Sequence, residues 1–265
     1  MLYVAVAVRA FRRYSTYIAA TLAGIFTNCV FGVIISFTYI AVWQQNPDAG
    51  GYDVTDALTY CWLAQAMIMT VAIWGGGAPD ELAARIRTGD VAIDLYRPVN
   101  FLGWWLASDL GRAAYHLLTR GLAPTAVGAL LFDLRFPPSM AAWAGFLVAV
   151  VLAVVVSFAI RMLVASSAFW LLDQAGVKNL AAVFSMFFSG LVVPLVLFPG
   201  WTRDVVMVLP WSAFVQVPVD IWLGRRTGVS LLSGLAFQVG WCVVLLALCA
   251  LVLRRANRKV VVQGG

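Results

Sequence analysis

APDELAARIRTGDVAIDLYRPVN, residues 78–100, is the one long polar island of an otherwise apolar chain, with three basic and four acidic residues between two strongly apolar blocks. Pro79 suits the first turn of a helix, and Asp80 and Glu81 meet the positive end of its dipole. Gly89 supplies a stop. Leu82 and Ile86, four apart, share one face while Arg85 and Arg87 lie off it, so the spacing predicts a short amphipathic helix outside a bilayer. After Gly89 a second short segment sets Ile93 and Leu95 on alternate positions and ends before Pro98, whose ring disfavours helix at Arg97. A loop kept this structured between apolar blocks reads as a surface on which a partner docks.

The apolar remainder decides the class. Of 265 residues, 63% are hydrophobic and 11% charged, with mean hydropathy +0.91, whereas globular chains run at roughly 25% charged. Windows of about 20 apolar residues, the length a bilayer core requires, fall at Tyr17 to Trp43, Ala57 to Trp74, Trp104 to Leu131, Ala141 to Trp170, Ala181 to Phe198 and Val229 to Leu253. These runs are too long for barrel strands, and a spanning backbone must satisfy its own hydrogen bonds. The expected fold is therefore all-α, a polytopic membrane protein of six transmembrane helices forming one domain, 1–265. Within it, 1–16 is an interfacial helix, 78–100 the cytoplasmic loop and 199–226 an outer re-entrant hairpin.

Charge placement sets the topology. Arg9, Arg12 and Arg13 precede the first window, Arg85, Arg87 and Arg97 lie in the second loop, Lys178 in the fourth, and Arg254, Arg255, Arg258 and Lys259 follow the last. The opposite side holds Arg135, Arg203, Arg225 and Arg226, and the first loop, QQNPDAGGYDVTD, has three acids and no base. The positive-inside rule then places both termini and the polar island in the cytoplasm. The net charge of +6 is thus a topology signal and does not point to nucleic acid. The start, MLYVAVAVRAFRRYSTYI, lacks the order of a signal peptide and is expected to stay in the mature protein. Cys29, Cys61, Cys242 and Cys249 sit in apolar runs without metal or redox spacing and read as small buried hydrophobes.

Two irregularities stand out. Asp109, Arg112, His116 and Arg120 are spaced three, four and four apart, one stripe along the third span. Asp109 and Arg112 read first as side chains snorkelling near the cytoplasmic end, with a pathway or subunit-contact role as the alternative. Arg120, deeper, is a candidate for pathway or subunit contact. His116 reads as a hydrogen-bonded structural histidine, and Arg161 as lying toward an edge of the long fourth run. The second irregularity is PGWTRDVVMVLPWSAFVQVPVDIWLGRR, residues 199–226, too apolar for a plain outer loop and too broken by Pro199, Pro210 and Pro218 for one span. Its aromatic residues suit a headgroup boundary. A pair of short helices dipping into the outer leaflet explains both features, and Trp211 and Phe214 join the pathway candidates.

The sequence carries no catalytic motif. It has no GxxxxGK[ST], since Gly75-Gly76-Gly77 runs into Ala78-Pro79 without the Lys-Ser/Thr pair, and no HExxH or GxSxG. One histidine makes metal chemistry of the usual kind unexpected. Uphill transport would need a partner or an ion gradient.

With an amphipathic start, six spans, a structured second loop and a broken outer hairpin, the chain resembles the permease subunit of a type-2-class ATP-binding-cassette exporter. Ile86-Arg87-Thr88-Gly89-Asp90 followed by Leu95-Tyr96-Arg97-Pro98-Val99-Asn100 is similar to the "I-R-x-G … L-x-R-P-x" loop of the bacterial viologen-exporter-like permeases, which usually have leucine where Tyr96 stands. The resemblance implies a coupling helix docking on a separate nucleotide-binding ATPase subunit through Glu81, Arg85, Ile86, Arg87, Gly89, Arg97 and Pro98. It also implies export across the bacterial cytoplasmic (inner) membrane, a second permease copy or a sister permease as dimer partner, membrane lipid around the spans, and no cofactor on this chain, with ATP and Mg on the partner ATPase. The competing reading is a gradient-driven secondary transporter or channel. It would need membrane-buried carboxylates or inverted repeats, and no repeat is present. An intramembrane enzyme is disfavoured by the missing catalytic groups.

Overall fold

A computed structural model describes residues 1–171 and 174–257; of the basic residues that follow the last apolar run, Arg258 and Lys259 lie outside the described residues. The regular structure of the described residues is all helix, with no strand. In chain order the helices are α1 (Leu2–Ser15), α2 (Ile18–Gln45), α3 (Val54–Thr70), α4 (Ala78–Thr88), α5 (Val91–Tyr96), α6 (Phe101–His116), α7 (Leu122–Leu131), α8 (Met140–Ser166), α9 (Ala175–Phe188), α10 (Gly200–Val208), α11 (Gln216–Trp222) and α12 (Gly228–Asn257). A π turn, Leu117–Gly121, joins α6 to α7, so helix continues from Phe101 to Leu131.

By length and composition three described helices can cross a membrane: Ile18–Gln45, Met140–Phe169 and Gly228–Ala256. A fourth crossing is possible if Gly200–Val208 and Pro210–Trp222, bent by 68° about Leu209, count as one. The six apolar windows are therefore not six long helices. At 17 residues, α3 is about 26 Å long, and the 14 residues of α9 give about 21 Å, against a hydrocarbon core of ~30 Å. The window at Ala181 to Phe198 is broken outright. Helix ends at Phe188, the backbone turns through Gly190 at φ 87°, and the Tyr60 hydroxyl donates to the Gly190 carbonyl at 2.8 Å.

α8 is the central helix: 61% of its apolar window is buried, against 22% for α2 and α12. α11 and α12 pack on it, as do α4, α6 and α9. α2 presents a stripe of small and polar residues inward, Gly24, Asn28, Gly32 and Ser36, and leaves Phe26, Ile34 and Phe37 exposed, the pattern of a helix with lipid on one side and close helix contact on the other. Local chemistry sets the starts: Asp53 caps α3 by accepting from Asp56 N at 2.7 Å, Asn100 caps α6 from Gly103 N at 2.7 Å, and Ser139 caps α8.

The start of α3 and α11 are tied by a buried polar network. Gln216, fully buried, donates to the Tyr52 hydroxyl at 2.8 Å and to Asp220 at 2.9 Å, and accepts from Leu195 N at 2.8 Å and the Tyr60 hydroxyl at 3.1 Å. Arg225 donates to Asp56 and lies over the Tyr52 ring. The Asp56 carboxylate holds its guanidinium above the ordinary arginine value. α11 and the turn after it are thereby locked to the start of α3.

Candidate functional site

α3 ends in a turn that only an unusual backbone can make. Ala72, Gly75, Gly76 and Gly77 all have positive φ, a region disfavoured for residues carrying a Cβ. At Gly77 a side chain would also collide: its Cβ would lie 2.5 Å from Asp109 Oδ1. The turn leaves carbonyls at the end of α3 and along the turn itself without helical partners, and two arginines and a serine take four of them. Arg112 of α6 donates to the Met69 carbonyl at 2.5 Å and to that of Thr70 at 2.9 Å. Ser157 of α8 donates to the Val71 carbonyl, and Arg161 donates to that of Gly76 at 2.9 Å.

Both arginines converge on one carboxylate. Asp109, fully buried, accepts from Arg112 Nε at 2.8 Å and from Arg161 Nη2 at 2.6 Å. Two guanidiniums facing one carboxylate leave an excess positive charge, which the negative end of the α3 dipole offsets. The snorkelling expectation for Asp109 and Arg112 is thus overturned, because both side chains are inside the bundle. Arg161 sits five residues from the end of α8, as an edge position requires, but its side chain is only 11% exposed.

Above this cluster α4 forms as the polar island's spacing predicts, with Pro79 in its first turn and Gly89 left-handed at φ 82° as its C-cap. Leu82 and Ala83 are buried and Ile86 partly so. Its acidic start is tied down on two sides: Asp80 accepts from Lys178 of α9 at 2.5 Å, and Glu81 pairs with Arg13 of α1 at 2.7 Å. Glu81 holds the Arg13 guanidinium above the usual arginine value. The segment after Gly89 is helical rather than extended. α5 buries Val91 and Asp94, three apart, because Asp94 takes the Arg85 side chain at 2.5 Å. Arg85 also reaches the Asp90 carbonyl at 3.1 Å.

The expected docking residues therefore divide. Glu81, held by Arg13 of α1, and Arg85, held by Asp94 within the loop, are engaged and position it, while Arg87, Gly89, Arg97 and Pro98 are exposed. The sequence reading missed Ile93 and Tyr96, which are 59% and 80% exposed and share one face of α5 at three-residue spacing. Two apolar side chains held open at the tip of a charged loop are the feature that could have singled them out. Arg97 bends back, over the Trp104 ring at 5.1 Å and 3.4 Å from Asp94.

The other candidates are placed apart. Arg120, in the π turn, crosses to α2 against Gly24 and donates to Asn28 at 3.3 Å. His116 packs edge-on against Tyr14 and Tyr115, and its Nδ1 makes no hydrogen bond, contrary to the hydrogen-bonded expectation. Trp211 stacks on Phe184 of α9 and donates to Ser185 at 3.1 Å. Phe214 is 1% exposed and belongs to the core of this chain, so it lines no open surface here. Among the described residues no group of three or more histidine, cysteine or acidic side chains is disposed to hold a metal, and the four cysteines are free.

The arrangement is a clamped helix with an exposed tip, joined through buried charge to α3, α6 and α8. A family model described as ABC-2 family transporter protein matches residues 29–264, most of the chain. No curated protein matches it.

Proposed function

This chain belongs to the ABC-2 transporter family, and from that premise we propose that it is the permease subunit of an ATP-driven exporter, coupled through its second loop to a separate ATPase. Membership makes it the membrane component of an ATP-binding-cassette transporter and, with its long apolar helices, a multi-pass membrane protein. The finer reading is ours. Six crossings are made by α2, α3, α6–α7, α8, α9 with the segment after it, and α12, with α10–α11 as an outer re-entrant hairpin. Both termini face the cytoplasm of a bacterial inner membrane, and two permeases, identical or sister, enclose the pathway.

The observation that carries the coupling role is the division within the 78–100 loop. Its base is clamped by Asp80–Lys178, Glu81–Arg13 and Arg85–Asp94, while its tip exposes Ile93, Tyr96 and Arg87. Exposed aromatic and aliphatic residues beside an arginine have the composition of a protein-binding hot spot. ATP and Mg bind the partner; its closure pushes α4 and α5, and the Asp109–Arg112–Arg161 cluster passes the movement to α3, α6 and α8 as a rigid-body shift. Reciprocity then requires that substrate binding alter nucleotide affinity. The experiment is affinity purification of the tagged protein in mild detergent, with identification of co-eluting proteins and an ATPase assay. Co-elution of a Walker-motif ATPase supports the proposal. A lone membrane protein without ATPase activity moves the assignment to a gradient-driven transporter.

A further inference from the structure

Between α1, α4, α5 and α6, at the base of the coupling loop, lies a cavity of about 500 Å³. Five guanidiniums line it, those of Arg9, Arg13, Arg85, Arg97 and Arg112, against the carboxylates of Glu81 and Asp94. Three of the five are spent: Arg13 on Glu81, Arg85 on Asp94 and Arg112 on Asp109. Arg97 has only a 3.4 Å approach to the already occupied Asp94. Arg9 has no partner among the described residues. The indole N–H of Trp105, a residue 4% exposed that lines the same cavity, also lacks an acceptor, as buried donors rarely do. The cavity thus has unspent positive charge and a spare donor, the complement of a phosphate group.

A second feature separates a lipid from a free anion. Along one flank of α1 runs a trough of about 620 Å³ lined by Met1, Val4, Ala5 and Val8 with Arg9 and Arg12 at its edge, and Arg9 also borders the cavity. A headgroup at Arg9 therefore has an apolar channel for its chain beside it. We propose that this cavity binds the headgroup of an anionic phospholipid of the cytoplasmic leaflet, with its phosphate between Arg9 and Arg97 and an acyl chain along the Met1–Val8 trough. The site rests on the reading of α1 as a helix on the cytoplasmic membrane surface. The bound lipid bridges α1 to α5 and so fastens the coupling loop to the membrane.

The test is native mass spectrometry of the full-length protein, delipidated in neutral detergent and titrated with palmitoyl-oleoyl phosphatidylglycerol, the matching phosphatidylcholine, and sodium phosphate. Phosphatidylglycerol is expected to bind more tightly than phosphatidylcholine. Arg9→Gln should weaken it about five-fold, and Arg9→Gln with Arg97→Gln more than about ten-fold, at roughly 1 kcal/mol per surface arginine. Excess phosphate should not displace it. Arg9→Gln removes a side chain without intramolecular partners, so an unchanged thermal midpoint accompanies the loss. Equal binding of the two lipids, displacement by phosphate, or an equal loss in Arg254→Gln, on the far terminus, overturns the proposal. No ATPase enters this titration, so its failure leaves the co-purification result standing, and the reverse holds as well.

Discussion

Asp109 of α6 and Arg161 of α8 meet at 2.6 Å, fifty-two residues apart, inside the bundle and directly beneath the turn that launches α4. The same Asp109 holds Arg112, and both arginines hold backbone carbonyls of the α3–α4 turn. One carboxylate therefore fixes the attachment of the cytoplasmic loop to three helices.

Asp109→Asn leaves two buried guanidiniums without a counter-charge. Breaking a buried pair by removing one partner costs about 3–5 kcal/mol, so this variant should lose most of its folded yield or show a strongly lowered thermal midpoint in detergent. Arg87→Ala, at an exposed position, should stay within about 0.5 kcal/mol of wild type.

At Gly89 the expected cost is conformational alone. No atom lies within 4 Å of where a Cβ would sit, but φ is 82°. Gly89→Val should strain the α4–α5 junction and uncouple ATP hydrolysis from transport without preventing membrane insertion. Gly89→Asn, which tolerates the left-handed region, should retain most coupling. Transport at the wild-type rate by Gly89→Val contradicts this.

Glu81 and Arg13 form a partly exposed pair, so their coupling in a double-mutant cycle should be about 0.2–1 kcal/mol. Glu81→Arg alone should loosen α1, read as faster labelling of a cysteine introduced at Ala10, which is buried. Adding Arg13→Glu should slow that labelling again.

Gln216→Leu strips four hydrogen bonds from buried partners, at about 1–3 kcal/mol for each group left unsatisfied. Its thermal midpoint should fall well below that of Trp211→Phe, which loses a single bond to Ser185. Limited proteolysis should then cut within 199–226 first.

The polar island was legible because its signals are local. Pro79, the acids after it and Gly89 are start and stop residues whose chemistry needs no distant partner, and α4 has the predicted ends. The long apolar runs of α2, α8 and α12 were legible for the same reason. α5 was not: in six residues, Ile93 and Leu95 fit an extended alternation as well as Val91 and Asp94 fit a helix, and the choice is made by Arg85 reaching Asp94. The break after Phe188 depends on Tyr60, one hundred and thirty residues away. The stripe Asp109, Arg112, His116 and Arg120 was visible on one helix, but the partner that draws Asp109 inward is on another, and periodicity within a segment does not report it. Ile93 and Tyr96 emerge as surface only once the face that α5 buries is known.

The central claim, that the 78–100 loop docks a separate ATPase, is tested most directly by affinity purification of the tagged protein beside Ile93→Asp with Tyr96→Asp, both at exposed positions. The account predicts that an ATPase with Walker motifs co-elutes with the wild type and is lost from the variant, while the variant keeps its yield and thermal midpoint. Recovery of a lone wild-type membrane protein in several detergents, or equal recovery of the ATPase with both proteins, would contradict it.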